Sequence, residues 1–463
     1  MDQIRAFFEG LKGKKVALIG FGVSHRELTK LLARKGAQVY LCDKKERSAF
    51  SDDLSEYERL GVHLQFGEHY ADNIAEMDMV FRTPGLPMTS PVLKRAAEAG
   101  VHITSEMEEF LRLCPCDTIG ITGSDGKTTT TTVIKELLTA AGRKVWFGGN
   151  MGLALLYQIE QVQPTDVAVM ELSSFQLISM DVSPRIGVVT NLSPNHLDVH
   201  KDLAEYYGAK KNLIAHGDEH SIAVLNRDNI VYEQFRPAVP GTLRLFSRRE
   251  RVENGAYCDE KGDLILMRDG RPTVVMNKKE IRIPGEHNVE NYLAAFAAVD
   301  GLVSPDIMRQ VAKGFGGVEH RIEFVRELDG VRYYNDSIAT SPTRMISALK
   351  AFHEPVVLIA CGVNKNLDLS PVLPYLYEHC RVVVRMGDIG EKLTAAVAAD
   401  SSEKKTALTF IDAEKMDDAV EKARQAARPG EVVVLSPGGT SFDHYTQYSA
   451  RGRHFKALVN DLK

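Results

Sequence analysis

The stretch Thr118–Leu138, TIGITGSDGKTTTTTVIKELL, decides how the chain is read. An apolar run ends in a glycine turn, and a helix pattern then opens at Gly126-Lys127-Thr128. This is the layout of a phosphate cradle. Gly123 and Gly126 let the backbone curl around an anion without a Cβ in the way. Lys127 supplies a point charge, and the Thr128 hydroxyl is placed to ligate Mg2+. The spacing departs from the ordinary Walker A loop, whose first glycine would fall at Ile121 and falls here at Gly123. The run Thr128–Thr132 is poor helix material, because β-branched side chains lose χ1 freedom against the preceding turn. Packing or a ligand is expected to hold that helix.

The rest of the composition sets bounds. A chain of 463 residues predicts about three domains, and 44% hydrophobic with 26% charged residues is ordinary globular material. The net charge of −5 gives no field that favours nucleic acid or an anionic membrane. No apolar run approaches the ~20 residues needed to cross a bilayer. The opening MDQIRAFFEGLKGKK carries acidic residues and no long apolar core, so no signal peptide is expected there. The six cysteines are scattered, which fits a reducing cytoplasm. Cys114-Pro-Cys116 lacks the usual metal or redox spacing and reads as a surface loop.

Strand and helix patterns alternate almost throughout, which predicts an α/β fold of parallel sheets covered on both faces. Three sections follow: 1–106, a Rossmann-like domain; 107–318, a P-loop-type domain with a mostly parallel sheet; and 319–463, again Rossmann-like. Between Arg244 and Asn277 the alternation lapses into short β-like runs, predicting a small antiparallel insertion. The first section contains VALIGFG, a strand ending in Gly20-x-Gly22, with Asp43 closing the next strand where it could reach a ribose hydroxyl. The third glycine of a dinucleotide fingerprint would stand at position 25, which is His25. The turn can still offer N–H groups to a phosphate, or merely connect strand to helix.

The sequence resembles the Mur ligases and the related folylpolyglutamate synthases, whose ATP loop has the shortened form of TGSDGKTTT. Further matches run the length of the chain in the family's order. ELSSFQL (Glu171–Leu177), NLSPNHLD (Asn191–Asp198) and YYGAKKNL (Tyr206–Leu213) look like its metal and carbamate segments. GEHNVENYLAA (Gly285–Ala295), His320-Arg321 and NDSIATSP (Asn335–Pro342) look like its ATP segments. The ending SPGGTSFDHYTQYSARG most resembles the member that adds D-glutamate to UDP-N-acetylmuramoyl-L-alanine.

The resemblance implies roles. ATP would sit on Gly123, Ser124, Asp125, Gly126, Lys127, Thr128 and Thr129, with Asn288, Asn291, Arg321 and Asp336; the last two would reach it only on domain closure. Mg2+, two ions on this reading, would be held by Thr128, Glu171, His196 and Lys210, with Lys210 carbamylated. Read alone, Lys210-Lys211 is a solvated helix face and His196 a capping or core residue; carbamylation needs a neutral amine, hence a lowered pKa. Lys127, Lys210 and His196 would be the catalytic residues. Gly20, Gly22, Ser24, Asp43, Thr83, Gly85, Asn150 and Ser173 would bind the UDP substrate, and Thr340, Lys365, Ser441 and Tyr448 the incoming amino acid.

The implied reaction is attack of the alanyl carboxylate on ATP to give an acyl phosphate, then capture by the amine of D-glutamate. A cytoplasmic monomer with no nucleic-acid or membrane partner is expected. Another Mur ligase, a folylpolyglutamate synthase and an inactive nucleotide-binding scaffold are the alternatives. There are departures from the family pattern. Ile338 stands where many relatives carry Lys, Thr83-Pro84-Gly85 where Ser-Pro-Gly is usual, and SPGGTSFD where SPACASFD is usual.

Overall fold

A computed structural model describes residues 2–50, 53–150, 154–194, 200–364, 367–403 and 408–463. The chain forms two compact units, one of residues 1–278 and 289–311, the other of 279–288 and 312–463. The first unit carries two sheets. Strands β1 (Lys15–Ile19), β2 (Gln38–Asp43), β3 (His63–Phe66), β4 (Met79–Arg82) and β5 (His102–Thr104) form an all-parallel sheet in the order β3-β2-β1-β4-β5. The larger sheet holds β6 (Asp117–Thr122), β7 (Val145–Gly149), β8 (Val167–Glu171), β9 (Ile186–Val189) and β10 (Ile222–Asn226). It continues through β11 (Thr242–Ser247), β12 (Gly255–Cys258), β13 (Asp263–Arg268) and β14 (Arg271–Asn277), in the order β14-β13-β12-β11-β10-β9-β6-β8-β7.

The second unit holds β15 (Glu323–Leu328), β16 (Val331–Asn335), β17 (Val356–Cys361), β18 (Cys380–Arg385), β19 (Thr409–Asp412) and β20 (Val432–Gly438). Their order is β15-β16-β20-β17-β18-β19, parallel except for β15. The α/β class with three mostly parallel sheets is as the sequence predicts. The reason is visible in strands such as β8, β9, β17 and β20, where every residue is buried. Strands covered on both faces read as continuous apolar runs.

The antiparallel element expected within 244–277 is present as β12, β13 and β14. β11 pairs parallel with both β10 and β12, and β13 runs antiparallel to its neighbours β12 and β14. They extend the main sheet at its edge. Short runs divided by turns announce hairpins but not which sheet they join.

Two buried polar side chains tie the five-stranded sheet to elements of the larger domain. Arg82, at the end of β4, is 1% exposed. Its guanidinium donates to Ser179 Oγ (2.7 Å from Nη2, 3.0 Å from Nε) and to the Phe175 carbonyl (2.8 Å). Burial pushes this guanidinium below its ordinary pKa. The Glu106 carboxylate, also buried, accepts the N–H groups of Leu155 and Leu156, each at 2.6 Å, and desolvation raises its pKa to about 7. Removing one partner of such a contact strands the other in a dry interior. Arg82→Ala is therefore expected to destabilise the first unit by on the order of 3 kcal/mol. Chemical denaturation checks this; an unchanged midpoint would show that the contacts are replaceable by water.

Candidate active site

The register of the larger sheet brings the cradle together. Ile121 of β6 pairs with Glu171 of β8, and Thr122 pairs with Val189 of β9. The loop Gly123–Gly126 therefore leaves β6 flanked by Glu171 on one side and by Thr190-Asn191 on the other. All three lie at carboxyl ends of parallel strands, where open α/β sheets bind ligands. Gly123 has φ 149° and Gly126 φ 78°, both in the region that favours glycine. A Cβ on Gly123 would run into Thr190 Oγ1, and one on Gly126 into Asn291 Oδ1.

Residues not singled out in the sequence clamp the loop. Ser124 N–H donates to the Asn191 carbonyl (2.9 Å), and Asp125 N–H to Asn191 Oδ1 (2.9 Å). Thr190 Oγ1 donates to the Asp125 carbonyl at 2.6 Å. The Ser124 hydroxyl is held by Ser193 and lies 3.1 Å from the Tyr206 hydroxyl. Asn191, Ser193 and Tyr206 stand inside recognised segments, but nothing in their spacing says that they grip the loop. The helix Lys127–Ala140 starts directly after Gly126, so its first-turn N–H groups face the cradle. Its threonines are accommodated by bonds one turn back: Thr131 and Thr132 donate to the carbonyls of Lys127 and Thr128, both at 2.7 Å.

Two lysines converge on one oxygen. Lys127 Nζ lies 2.9 Å from the carbonyls of Gly123 and Ser124, and Lys210 Nζ lies 2.7 Å from the Gly123 carbonyl. Lys210, on the helix Leu203–Ala215, is 2% exposed, with its Nζ 4.7 Å from the centre of the Tyr206 ring. Burial, aided by the Lys127 charge, pulls its pKa down to about 7, against the opposing pull of Asp125 and Glu171. The solvated-face reading of Lys210 is thereby corrected: tertiary packing covers that face.

Glu171 is 2% exposed. Its Oε1 accepts the Asn150 amide at 2.9 Å, and its Oε2 is buried with no hydrogen-bond partner among the described residues. A buried carboxylate oxygen without a donor is suited to a cation. Thr128, also buried, opens the adjoining helix. His196 lies outside the described residues. Among the described residues no cluster of three His, Cys, Asp or Glu side chains forms a ready-made metal cage.

Of the two helix amides, Asn291 faces the cradle, with its Oδ1 3.3 Å from Thr130 Oγ1. The amide of Asn288 donates to the Pro284 carbonyl at 2.6 Å. Asn150 serves Glu171, and Ser173 forms a capping box with Gln176 on the helix Ser174–Leu177. Thr129 is half-buried on the cradle helix.

At the first sheet, Gly20 (φ 95°) closes β1 with Thr83 packed against it, while Gly22 and Gly85 are exposed and Ser24 half-buried. Asp43 Oδ2 accepts the Phe21 N–H (2.8 Å) and Oδ1 the Lys45 N–H (2.9 Å), so the carboxylate braces the turn and only its remaining lone pairs could meet a ribose. His25 is buried and donates from Nδ1 to the Gly20 carbonyl at 2.9 Å. Burial lowers its pKa to about 4, so it is neutral at pH 7. It fills the place of the third glycine.

In the second unit, β16, β20 and β17 are adjacent, so the segments following them meet. Thr340 follows β16 and Ser441, 2% exposed, follows β20; Lys365 follows β17 but lies outside the described residues. Thr440 and Val363 pair across the gap, and the Ser337 hydroxyl donates to the Tyr448 carbonyl at 2.8 Å. Arg451, 1% exposed, donates to Ser337 Oγ (3.0 Å) and to the carbonyls of Ser337 (2.9 Å) and Gly439 (3.2 Å). Asp336 is buried, accepts from Ser436 Oγ at 2.9 Å, and is raised by burial to about 7. Arg321 is exposed and lies between His320 (φ 66°) and Ile322 (φ 42°), a strained turn that only surrounding structure can hold. Where Ile338 removes a lysine, the Arg344 guanidinium donates to the Ile338 carbonyl at 2.9 Å, a cation that the sequence motif does not reveal.

Comparison with known proteins bears on this site. Residues 14–105 match the family model "Mur ligase MurD-like, N-terminal domain", 121–299 "Mur ligase middle domain", and 320–439 "Mur ligase, glutamate ligase domain". The chain is 43% identical over 458 residues to the UDP-N-acetylmuramoylalanine–D-glutamate ligase of Clostridium acetobutylicum, covering 99% of this chain and 98% of that protein. It is 44% identical over 456 residues to the ligase of the same name from Clostridium botulinum, covering 98% of each. Among solved structures, UDP-N-acetylmuramate–alanine ligase from Thermotoga maritima shares the fold with a TM-score of 0.54 at 18% identity, over 97% of this chain and all of that one. Matched along nearly its whole length by close sequence relatives and by all three domain models, the chain belongs to the Mur ligase family.

Proposed function

We propose that the chain is an ATP-dependent ligase that adds D-glutamate to UDP-N-acetylmuramoyl-L-alanine through an acyl phosphate, in the synthesis of peptidoglycan precursors in the cytoplasm. The observation that carries this reading is the pairing of a glycine cradle with a buried lysine tuned to about 7 and a buried glutamate with one oxygen that takes no hydrogen bond among the described residues. The names of relatives at 43–44% identity supply the substrates.

In the first step a carboxylate oxygen of the alanyl group attacks the γ-phosphorus of ATP, and the bond to the ADP oxygen breaks. Lys127 and the first-turn N–H groups of its helix offset charge on the transferring phosphoryl group. Mg2+, when bound, supplies further charge neutralisation there; Thr128, Glu171 and a carbamylated Lys210 would hold it, with His196 at a second ion. In the second step the D-glutamate amine attacks the acyl carbon, loses a proton, and phosphate departs with the C–O electron pair. Lys365 and Thr340 bind one glutamate carboxylate, Ser441 the other, and Tyr448 borders the pocket. Gly20, Gly22, Ser24, Thr83 and Gly85 receive the UDP end. The enzyme acts as a monomer. No helix among the described residues is long and apolar enough to cross a membrane.

The direct experiment is phosphate release with UDP-N-acetylmuramoyl-L-alanine against a panel of D- and L-amino acids. D-glutamate alone should support turnover; release with a different amino acid, or with none, would replace this reading. Lys127→Ala is expected to lower kcat by about a hundredfold or more with an unchanged melting temperature, because it removes transition-state charge and no core packing. Near-normal turnover would place ATP elsewhere.

The lysine makes a pH prediction. With a pKa of about 7, the neutral amine of Lys210 is about a tenth of the population at pH 6 and about nine tenths at pH 8. Uptake of 13CO2, followed by carbamate NMR, should therefore rise across that interval, and Lys210→Ala should abolish the signal. The same variant should be nearly inactive and partly restored by acetate or formate. A wild-type enzyme fully active without carbon dioxide and lacking the signal would exclude the carbamate.

Lys365→Ala tests the amino-acid pocket. Loss of a charge-assisted hydrogen bond to a buried carboxylate costs on the order of 1–3 kcal/mol, or roughly ten- to a hundredfold in the KM for D-glutamate. The KM for ATP should change much less. Equal effects on both would move Lys365 to the nucleotide site.

A further inference from the structure

The segment joining the helix Glu106–Leu113 to β6 is Cys114-Pro115-Cys116, and it is not the plain surface loop that its sequence suggests. Cys116 is 9% exposed and Cys114 is half-buried, and their sulfurs lie 3.4 Å apart. Proline explains the approach. It fixes its own φ and keeps the preceding residue extended, as Cys114 is (φ −63°, ψ 121°). The contact between the sulfurs shows that both thiols face the same way. A cavity of about 450 Å3 opens beside them, lined by Cys114, Cys116, Leu111, Thr118, Arg185 and His216 among others. Arg185 and His216 are exposed, so the cavity is reached from solvent.

The other four cysteines differ in each respect. Cys42, Cys258, Cys361 and Cys380 are buried, and burial raises the thiols of Cys42, Cys361 and Cys380. Cys114, by contrast, is held below the usual thiol range by the hydrogen bond from Cys116, whose own proton is held more tightly. A low thiol pKa, partial exposure and a resolving thiol in contact are what site-selective thiol exchange requires.

We propose that Cys114 and Cys116 are a modification site: a dithiol that low-molecular-weight disulfides oxidise to an intramolecular disulfide. The Cys114 thiolate attacks one sulfur of the small disulfide and expels the first small thiol. Cys116, giving up its proton, then attacks Cys114 Sγ and expels the second. Two protein thiols and one small disulfide thus become one protein disulfide and two small thiols, with two electrons passing to the small molecule. The inference is independent of the ligase reading.

The test is incubation of the full-length reduced protein with oxidised glutathione, followed by intact mass and peptide mapping. The expected product has lost two hydrogen atoms, with the new bond between Cys114 and Cys116, formed about tenfold or more faster than any adduct on the other four cysteines. Cys116→Ser should accumulate a stable glutathione adduct on Cys114, and Cys114→Ser should leave Cys116 unmodified over the same time. Thiol counting on the wild-type protein reads the same bond without either variant. A wild-type protein that keeps both thiols, or glutathione adducts spread evenly over the cysteines, would overturn the proposal.

Discussion

Two ammonium groups point at the Gly123 carbonyl, and much of the site follows from that crowding. Like charges gathered on one oxygen repel, the more so where burial removes the water that would screen them. Burial takes the water away from Lys210 and, aided by the Lys127 charge beside it, shifts that lysine towards neutrality. The carbonyl can serve both only because the loop is fixed. Gly123 adopts a φ closed to other residues, and Thr190, Asn191 and Ser193 hold the neighbouring peptides. The cradle's lysine, Lys127, donates to the cradle's own carbonyls at Gly123 and Ser124.

The topology repeats one solution in different chemistry. Cradle, glutamate and clamp stand at the carboxyl ends of β6, β8 and β9. In the second unit Thr340 and Ser441 stand at the carboxyl ends of β16 and β20, and Lys365 follows β17. Parallel strands deliver their following loops to one edge of the sheet, so residues distant in sequence meet without long connections.

Support for these loops comes from buried polar groups as much as from apolar packing. Arg82 grips the Ser174–Leu177 helix region from β4, and Arg451 gathers the ends of β16 and β20. Neither has an ion-pair partner among the described residues. Each meets hydroxyls and main-chain carbonyls, which a planar guanidinium with five donors can satisfy together. Fixing loops this way costs desolvation but leaves little freedom in where they lie.

The fold class, the cradle and the order of the segments are legible in the sequence because they depend on local pattern: apolar runs, glycine where φ must be positive, threonine and lysine at set offsets. Gly123, Gly126, Lys127 and Thr128 could be named from spacing alone. The pairing of β11 with β12 could not be, because sheet membership is a long-range choice. Nor could the state of Lys210, which reads as a solvated helix face until the Tyr206 ring, Lys127 and the Gly123 carbonyl close around it. Nor could it be read that Asp43 braces the turn after β1 or that the Asn150 amide donates to Glu171. Cys114 and Cys116 show no recognised spacing, yet the fold brings their sulfurs into contact. Spacing fixes which residues share a turn; burial and charge, set by segments far away in the chain, decide what those residues can do.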